Sequence, residues 1–475
     1  MLKFNRTKIV ATLGPASDHH TVLTELIKAG VDVCRINMSH GDHAQHQKNI
    51  DLVRTISTQL LHHVPILLDL QGPKIRIGEV LNDKIFLKKG KEITLTTHRS
   101  VSTEDKIFVN YSLLADEVKA GDHILLDDGK IELKALGIKP DGTFAAKVMN
   151  DGFLTAKKGV NLPDSNISVQ SMTKKDHADL LFGLKNNVEW IALSFVRKPE
   201  DIHHLRGLIN KHKSYAKIIA KIEKPEGVKN FDDILKESDG IMVARGDLGV
   251  EIPMENVPII QKQLVRKCII ASKPVIIATQ MMESMINSPT PTRAEATDVA
   301  NAVMDGADAV MLSAETSVGK YPHKVIEMMT KIITVVETQS QVYYKGIRPV
   351  PESPSFYSDE LCFTAVRVSD HLNAKAIIGM TFQGYTAFKV AAFRPKASIF
   401  IFTSNKYLLS TMALVWGVRC YFYDRKTSTD ETFHDVTEIL KDLKLIHKKD
   451  VVIHLASMPI GGEARANAMK ITVVE

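Results

Sequence analysis

The chain has 475 residues, 44% of them hydrophobic and 24% charged, with a formal net charge of +6. That length exceeds what one hydrophobic core organises, so two or three domains are expected, and no apolar run approaches the roughly 20 residues that a membrane span requires. Cys34, Cys268, Cys362 and Cys420 stand far apart without a Cys-x-x-Cys pair, which argues against zinc, against a disulfide framework, and for a reducing compartment.

The first eight residues carry charge but no apolar segment and no small-residue cleavage site, so a cytoplasmic chain is expected. A pI near 8.8 fits a nucleic-acid binder or an enzyme that draws in polyanionic metabolites, and composition does not separate the two. Lysine and arginine interleave with 55 acidic residues and form no basic tract, so a nucleic-acid partner is not expected.

Eight short apolar runs follow in order, at 7–12, 31–36, 65–70, 190–195, 217–222, 240–244, 274–279 and 309–313. Most are continuous, as parallel strands buried on both faces should be. Segments with an apolar residue every three or four positions lie between them, at 21–29, 176–184, 228–236, 255–271 and 292–304. This pattern predicts a (β/α)8 TIM barrel. Thr173, with Asp176 three residues on, is read as plain N-capping of one of those helices.

The spacing breaks once, between the third and fourth runs, where about a hundred residues intervene instead of the few tens a single βα unit needs. There the sequence turns to short β-type runs at 92–97, 123–126 and 131–136, separated by glycine turns. An inserted small β-barrel lid domain, 78–162, is therefore expected within the catalytic barrel, 1–77 and 163–345, overhanging its active face. After the helix 322–339 comes a proline-rich linker, 346–354, and then runs at 376–380, 398–402, 419–423 and 451–455. These predict a C-terminal open α/β domain, 346–475.

Reactive groups belong at the carboxyl ends of barrel strands, and the residues closing each run are unusually polar. The second run delivers Arg35, Asn37, Ser39 and His40; the third Asp69, then Lys74 and Arg76; the fourth Ser194; the fifth Lys221 and Glu223. The sixth gives Arg245, Gly246 and Asp247, the seventh Thr279 and Gln280, and the eighth Ser313 and Glu315. Any one of them could be a strand-end hydrogen bond or a surface salt bridge. Two carboxylates and a lysine converging from neighbouring strands suit a divalent metal with oxygen ligands that holds a phosphorylated substrate.

Nine stretches of this chain resemble the pyruvate kinase family, in the family's order. They are Ile9-Val-Ala-Thr-Leu-Gly-Pro-Ala16, Arg35-Ile-Asn-Met-Ser-His-Gly41, Lys158-Gly-Val-Asn-Leu-Pro163, Lys221-Ile-Glu-Lys-Pro-Glu-Gly227 and Met242-Val-Ala-Arg-Gly-Asp-Leu-Gly249. Ala278-Thr-Gln-Met281, Pro291-Thr-Arg-Ala-Glu295, Asp298-Val-Ala-Asn-Ala-Val303 and Met311-Leu-Ser-Ala-Glu-Thr316 complete them. The resemblance implies transfer of the phosphoryl group of phosphoenolpyruvate to ADP, giving ATP and pyruvate, in a glycolytic, cytoplasmic homotetramer. It implies Mg²⁺ (or Mn²⁺) on Glu223 and Asp247. Lys221 would face the phosphoryl group in flight, and Arg35 would bind it. The amides of Gly246 and Asp247 would hold the substrate carboxylate. Thr279 would lie beside the carbon that is protonated, with Ser313 and Glu315 behind it. Asn37, His40, Arg76 and Lys158 match positions around the nucleotide phosphates.

Family members that need K⁺ hold it with residues matching Asn37, Ser39, Asp69 and the carbonyl of Leu70, with a glutamate a few residues on. Here that glutamate is Lys74, an exchange that goes with independence from K⁺, and an ammonium about 4 Å from Asp69 could replace the ion at roughly 4 kcal/mol of gross Coulomb energy. The last domain would regulate and assemble. Its stretch Thr381-Phe-Gln-Gly-Tyr-Thr386 matches a phosphate-binding effector loop, so Thr381, Gly384 and Thr386 are candidates for a phosphorylated effector. The tail 459–465 departs from the family's effector segment. A barrel lyase with an enolpyruvate-type intermediate and a catalytically silent binding protein are the rival readings. Arg76 and Lys158 count against the lyase, and the intact set of Lys221, Glu223, Asp247 and Thr279 counts against the silent protein.

Overall fold

In the computed structural model, residues 3–139, 143–165, 167–425, 427–458 and 465–475 are described. Eight parallel strands close into a barrel: Lys8–Thr12, Val33–Asn37, Ile66–Asp69, Trp190–Leu193, Lys217–Ile222, Gly240–Ala244, Val275–Ala278 and Ala309–Leu312, the last pairing with the first. They are apolar on both faces because the interior and the helix layer each need a hydrophobic partner. Val10, Val33, Leu67, Trp190, Ile219, Met242, Ile276 and Met311 fill the interior. The outer face packs on helices such as His20–Ala29, Lys174–Lys185 and Val257–Ala271. Thr173 does more than cap: its side chain takes the Asp176 amide while the Asp176 carboxylate takes the Thr173 amide, a reciprocal box.

The insertion after the third strand contains eight strands, more than its three conspicuous runs foretold. Six form a sheet in the order Val160–Asn161, His123–Leu126, Ile131–Ile138, Phe144–Val148, Glu92–Thr96, Lys106–Phe108, and Lys84–Leu87 pairs with Gly152–Thr155 as a separate ribbon. Isolated bridges from Arg76 to Gly159 and from Ile77 to Val109 draw the two edges of that sheet together. One apolar core, including Ile85, Ile93, Leu126, Leu133 and Val148, serves all of it.

The last part of the chain is an open sheet in the order Val418–Phe422, Ser398–Thr403, Ala376–Met380, Val451–Ala456, Ala468–Val473. The final, antiparallel strand leaves Ile471 and Val473 exposed on an unpaired edge. This unit also closes the amino-terminal mouth of the barrel. Leu414 joins the interior cluster, the Gly417 amide donates to the Arg6 carbonyl at 2.8 Å, and Arg394, beneath the Trp416 ring, pairs with Asp308 at 3.0 Å.

Within the same sheet His454 is buried against Phe433, ring centroids 4.6 Å apart, with neither ring nitrogen bonded. Burial pushes its pKa down to about 4. The unfolded chain takes up this proton near pH 6.5 and the folded chain does not, so the stabilisation is full above that pH and is lost as pH falls from about 6.5 to 4. His454→Phe is therefore expected to lose less stability between pH 7 and pH 5 than the parent, by about 2 kcal/mol, in calorimetric unfolding. Parallel acid losses in both proteins would place the sensitivity elsewhere.

Candidate active site

The centre of the carboxyl-terminal face is a chain of alternating charges. Lys221 and Glu223, two residues apart, point the same way from the end of the fifth strand. The Lys221 ammonium lies 2.7 Å from Ser194 Oγ, 2.9 Å from Glu223 Oε1 and 3.2 Å from Asp69 Oδ1, with its side chain 11% exposed. Asp69 Oδ2 accepts from Arg35 Nε at 2.8 Å and lies 2.7 Å from Arg35 Nη2, while Arg35 Nη1 donates to Thr12 Oγ1 at 2.8 Å. Burial works against the Lys221 charge, but Asp69 and Glu223 outweigh it and hold the ammonium above its ordinary pKa. Burial likewise pushes Asp69 up, and Lys221 and Arg35 overcome it, so that carboxyl lies below its usual range.

Glu223 has its second oxygen on the Phe195 amide at 2.7 Å. Burial raises its pKa, Lys221 opposes the rise, and the Asp247 charge adds to it. Asp247 stands in the first turn of the helix Arg245–Glu251 and is 29% exposed. Two carboxylates of like charge that repel each other suit a hard divalent cation between them. Among the described residues no group of three or more His, Cys, Asp or Glu is placed to hold a metal, so Glu223 and Asp247 are a pair without a third such side chain.

Lys74 requires a correction. Its ammonium lies 3.6 Å from Asp247 Oδ1, not beside Asp69. The reason is that Asp69 already carries two cations, Arg35 and Lys221, whereas Asp247 has no other ion pair among the described residues. Of the other groups matched to a monovalent ion, Asn37 Oδ1 accepts from the Ser39 amide at 3.1 Å and the Leu70 carbonyl accepts from Ser194 Oγ at 2.7 Å.

Thr279 has φ +68°, a left-handed backbone that is rare for a β-branched residue and costs on the order of 1–3 kcal/mol. Arg245 holds it there: Nη2 donates to the Thr279 carbonyl at 2.9 Å, and Nη1 is anchored on Asp298 at 2.6 Å. The Thr279 hydroxyl donates to the Ala278 carbonyl at 2.6 Å and accepts from the Gly246 amide at 2.7 Å. That amide is therefore already bonded within the protein. Ser313 gives its own amide to Glu315 at 2.7 Å, and Glu315, raised by burial, also takes the Met282 amide at 3.3 Å.

The nucleotide candidates are more dispersed. His40 is exposed, and Arg76 donates from Nη1 to the Lys157 carbonyl at 2.9 Å. Lys158 pairs with Asp127 of the lid at 2.8 Å. In the effector stretch the Gly384 amide is bonded to Thr381 Oγ1 at 3.0 Å, Thr386 is buried, and the Tyr385 hydroxyl is bonded to Asp359. Of the tail 459–465, residues 459–464 lie outside the described residues, while Arg465 stacks over the Tyr385 ring at 4.4 Å.

Asn161, Lys224 and Glu251 are buried polar residues beside the site that had no role assigned from sequence. Each sits inside or next to a motif quoted above, and Glu251 is a lone charge between Val250 and Ile252, the one signal that could have marked it.

Residues 4–326 match the family described as pyruvate kinase, barrel domain, and residues 359–472 match pyruvate kinase, alpha/beta domain. The chain is 44% identical to pyruvate kinase 2 of Synechocystis sp. over 99% of its own length and 79% of that protein's. It is 42% identical to the pyruvate kinase of Geobacillus stearothermophilus, over 99% and 80% respectively. A crystal structure of a pyruvate kinase from Cryptosporidium parvum superposes with a TM-score of 0.92 at 36% identity, covering 99% of this chain and 96% of that one.

Proposed function

The chain belongs to the pyruvate kinase family, and from that premise we infer how its own residues act. The reaction moves the phosphoryl group of phosphoenolpyruvate to ADP and yields ATP and pyruvate. The observation that carries the residue-level reading is the Arg35–Asp69–Lys221–Glu223 charge chain at the strand ends.

Glu223 and Asp247 would hold Mg²⁺ (or Mn²⁺), which, when bound, supplies positive charge to the oxygens of the substrate. Lys221, fixed from three sides and little exposed, faces the phosphoryl group as its charge spreads, where a preorganised cation in a low-dielectric site lowers the barrier most. Arg35, reaching in from the second strand and joined to Lys221 through Asp69, grips the same group. Thr279 positions the proton source beside the enolate carbon; a hydroxyl already donating to the Ala278 carbonyl acts by placement, not as an acid in its own right. Asn37, His40, Arg76 and Lys158 would bind the ADP phosphates.

The wider reading keeps the proposed boundaries, 1–77 with 163–345, 78–162, and 346–475. A homotetramer is supported by the unpaired edge strand Ala468–Val473, whose exposed Ile471 and Val473 offer a second chain a surface to pair with. A reducing, cytoplasmic setting is supported by four unpaired cysteines. No helix among the described residues is long and apolar enough to cross a membrane. A phosphorylated effector at Thr381, Gly384 and Thr386 would have to displace the Gly384–Thr381 bond.

The test of the metal reading is Glu223→Gln. Mn²⁺ affinity, read by electron paramagnetic resonance, should fall at least tenfold together with pyruvate formation, since one of two carboxylate ligands is lost. Unchanged Mn²⁺ affinity would remove Glu223 from that role.

A further inference from the structure

The lid strand that follows Lys158 is fastened to the barrel at a buried point. Asn161 ends the short strand Val160–Asn161, paired inside the lid with Leu125 and Leu126. Its Nδ2 donates to Glu251 Oε1 at 2.6 Å, and the same oxygen accepts from Lys224 Nζ at 2.5 Å. The side chain of Glu251 is 1% exposed and that of Lys224 11%, so these charge-assisted bonds are shielded from water. The other Glu251 oxygen has no partner, which leaves the anion dependent on these two donors.

The positions of the three residues matter more than the contact itself. Lys224 directly follows Glu223, and Glu251 lies one helical turn beyond Asp247 on the helix Arg245–Glu251. Asn161 lies three residues from Lys158. One carboxylate oxygen thus joins the lid segment bearing a phosphate-binding lysine to both segments that bear the paired carboxylates. The barrel segment into which the lid returns is held independently, by the Arg197 guanidinium on the carbonyls of Ile167 and Val169, so loss of the Asn161 bond leaves the lid's return connection in place. A cavity of about 40 Å³ lined by Lys74, Asn161, Phe195 and Lys224 adjoins the joint.

We propose that Asn161, Glu251 and Lys224 form a joint that sets Lys158 of the lid against Glu223 and Asp247, with Glu251 as its positioning residue. This rests on the reading of Lys158 as a nucleotide residue. Asn161→Ala removes one donor from the joint and no group from the chemistry. It is expected to raise the KM for ADP about tenfold, the effect of one hydrogen bond to a charged acceptor, while phosphoenolpyruvate affinity, titrated without nucleotide, stays within twofold and the melting temperature falls by only a few degrees. Made on a Glu251→Gln background, the same substitution should add less than half its own effect, because the partner is already impaired. Asn161→Ser, which keeps a donor, should recover part of the loss. Equal changes for both ligands, additive effects, or no change in the KM for ADP would overturn the joint, and if Glu251→Gln does not fold, the affinity split in Asn161→Ala decides alone. Lys158→Ala separates the two ideas. A raised KM for ADP there but not in Asn161→Ala rejects the joint and keeps the nucleotide reading; no effect in Lys158→Ala rejects the reading beneath it.

Discussion

Lys221→Met should lower kcat by about 10³-fold or more, because the substitution deletes a preorganised cation aimed at the phosphoryl group, and losing even a neutral donor of that kind costs 10² to 10³. The loss should appear in kcat with little change in Mn²⁺ affinity, since Glu223 and Asp247 remain. Stability should suffer as well. Lys221 bridges Asp69 and Glu223 with only 11% of its side chain exposed, and removing one member of a buried charge network costs about 3–5 kcal/mol. Single-turnover transfer, measured on protein shown by calorimetry to be folded, separates the two effects. Retained turnover would take Lys221 out of the role given to it.

Activity without K⁺ is the second large expectation, and Lys74→Glu is its test. Lys74 already places a positive charge beside the paired carboxylates, 3.6 Å from Asp247. At an effective dielectric near 20 such a pair is worth roughly 4 kcal/mol of gross attraction, reduced by solvent because about a quarter of each side chain is exposed. Reversing that charge sets a third carboxylate next to Asp247 and Glu223. The parent should turn over at the same rate, within twofold, in buffer stripped of K⁺, whereas Lys74→Glu should lose tenfold or more there and recover when K⁺ is added. A variant indifferent to K⁺ would mean that the lysine does not stand in for the ion, whichever carboxylate it faces.

What the sequence made legible follows from which forces act locally. Strands buried on both faces read as continuous apolar runs, so all eight barrel strands were visible within a residue or two of their ends, and the polar residues closing them drew attention to the site. The lid was visible as an interruption but not strand by strand. Lys106–Phe108 and Gly152–Thr155 are short and carry exposed positions, so their periodicity is too weak to read. The strand Ala468–Val473 was missed because it lies at an edge with most of its side chains only partly covered. Partner choice was the least legible layer. Nothing in Arg245-Gly246-Asp247 says that the arginine turns away to hold the strained Thr279 carbonyl, or that Lys74 pairs with Asp247 because Asp69 is already neutralised from two sides. Those outcomes depend on side chains brought together from strands far apart in the chain.

The residue that completes the barrel interior, Leu414, comes from the last unit and is made long after the barrel's own final strand, Ala309–Leu312. During synthesis the eight strands would therefore emerge and pair with their amino-terminal mouth still open, for roughly a hundred further residues, or on the order of 5–20 s at typical elongation rates. A nascent chain halted in that interval presents wet apolar side chains at the barrel floor. The unit that appears last in the polypeptide is thus part of what makes the first one a finished fold, and a truncated transcript that ends at the linker should yield an aggregating barrel instead of a smaller working enzyme.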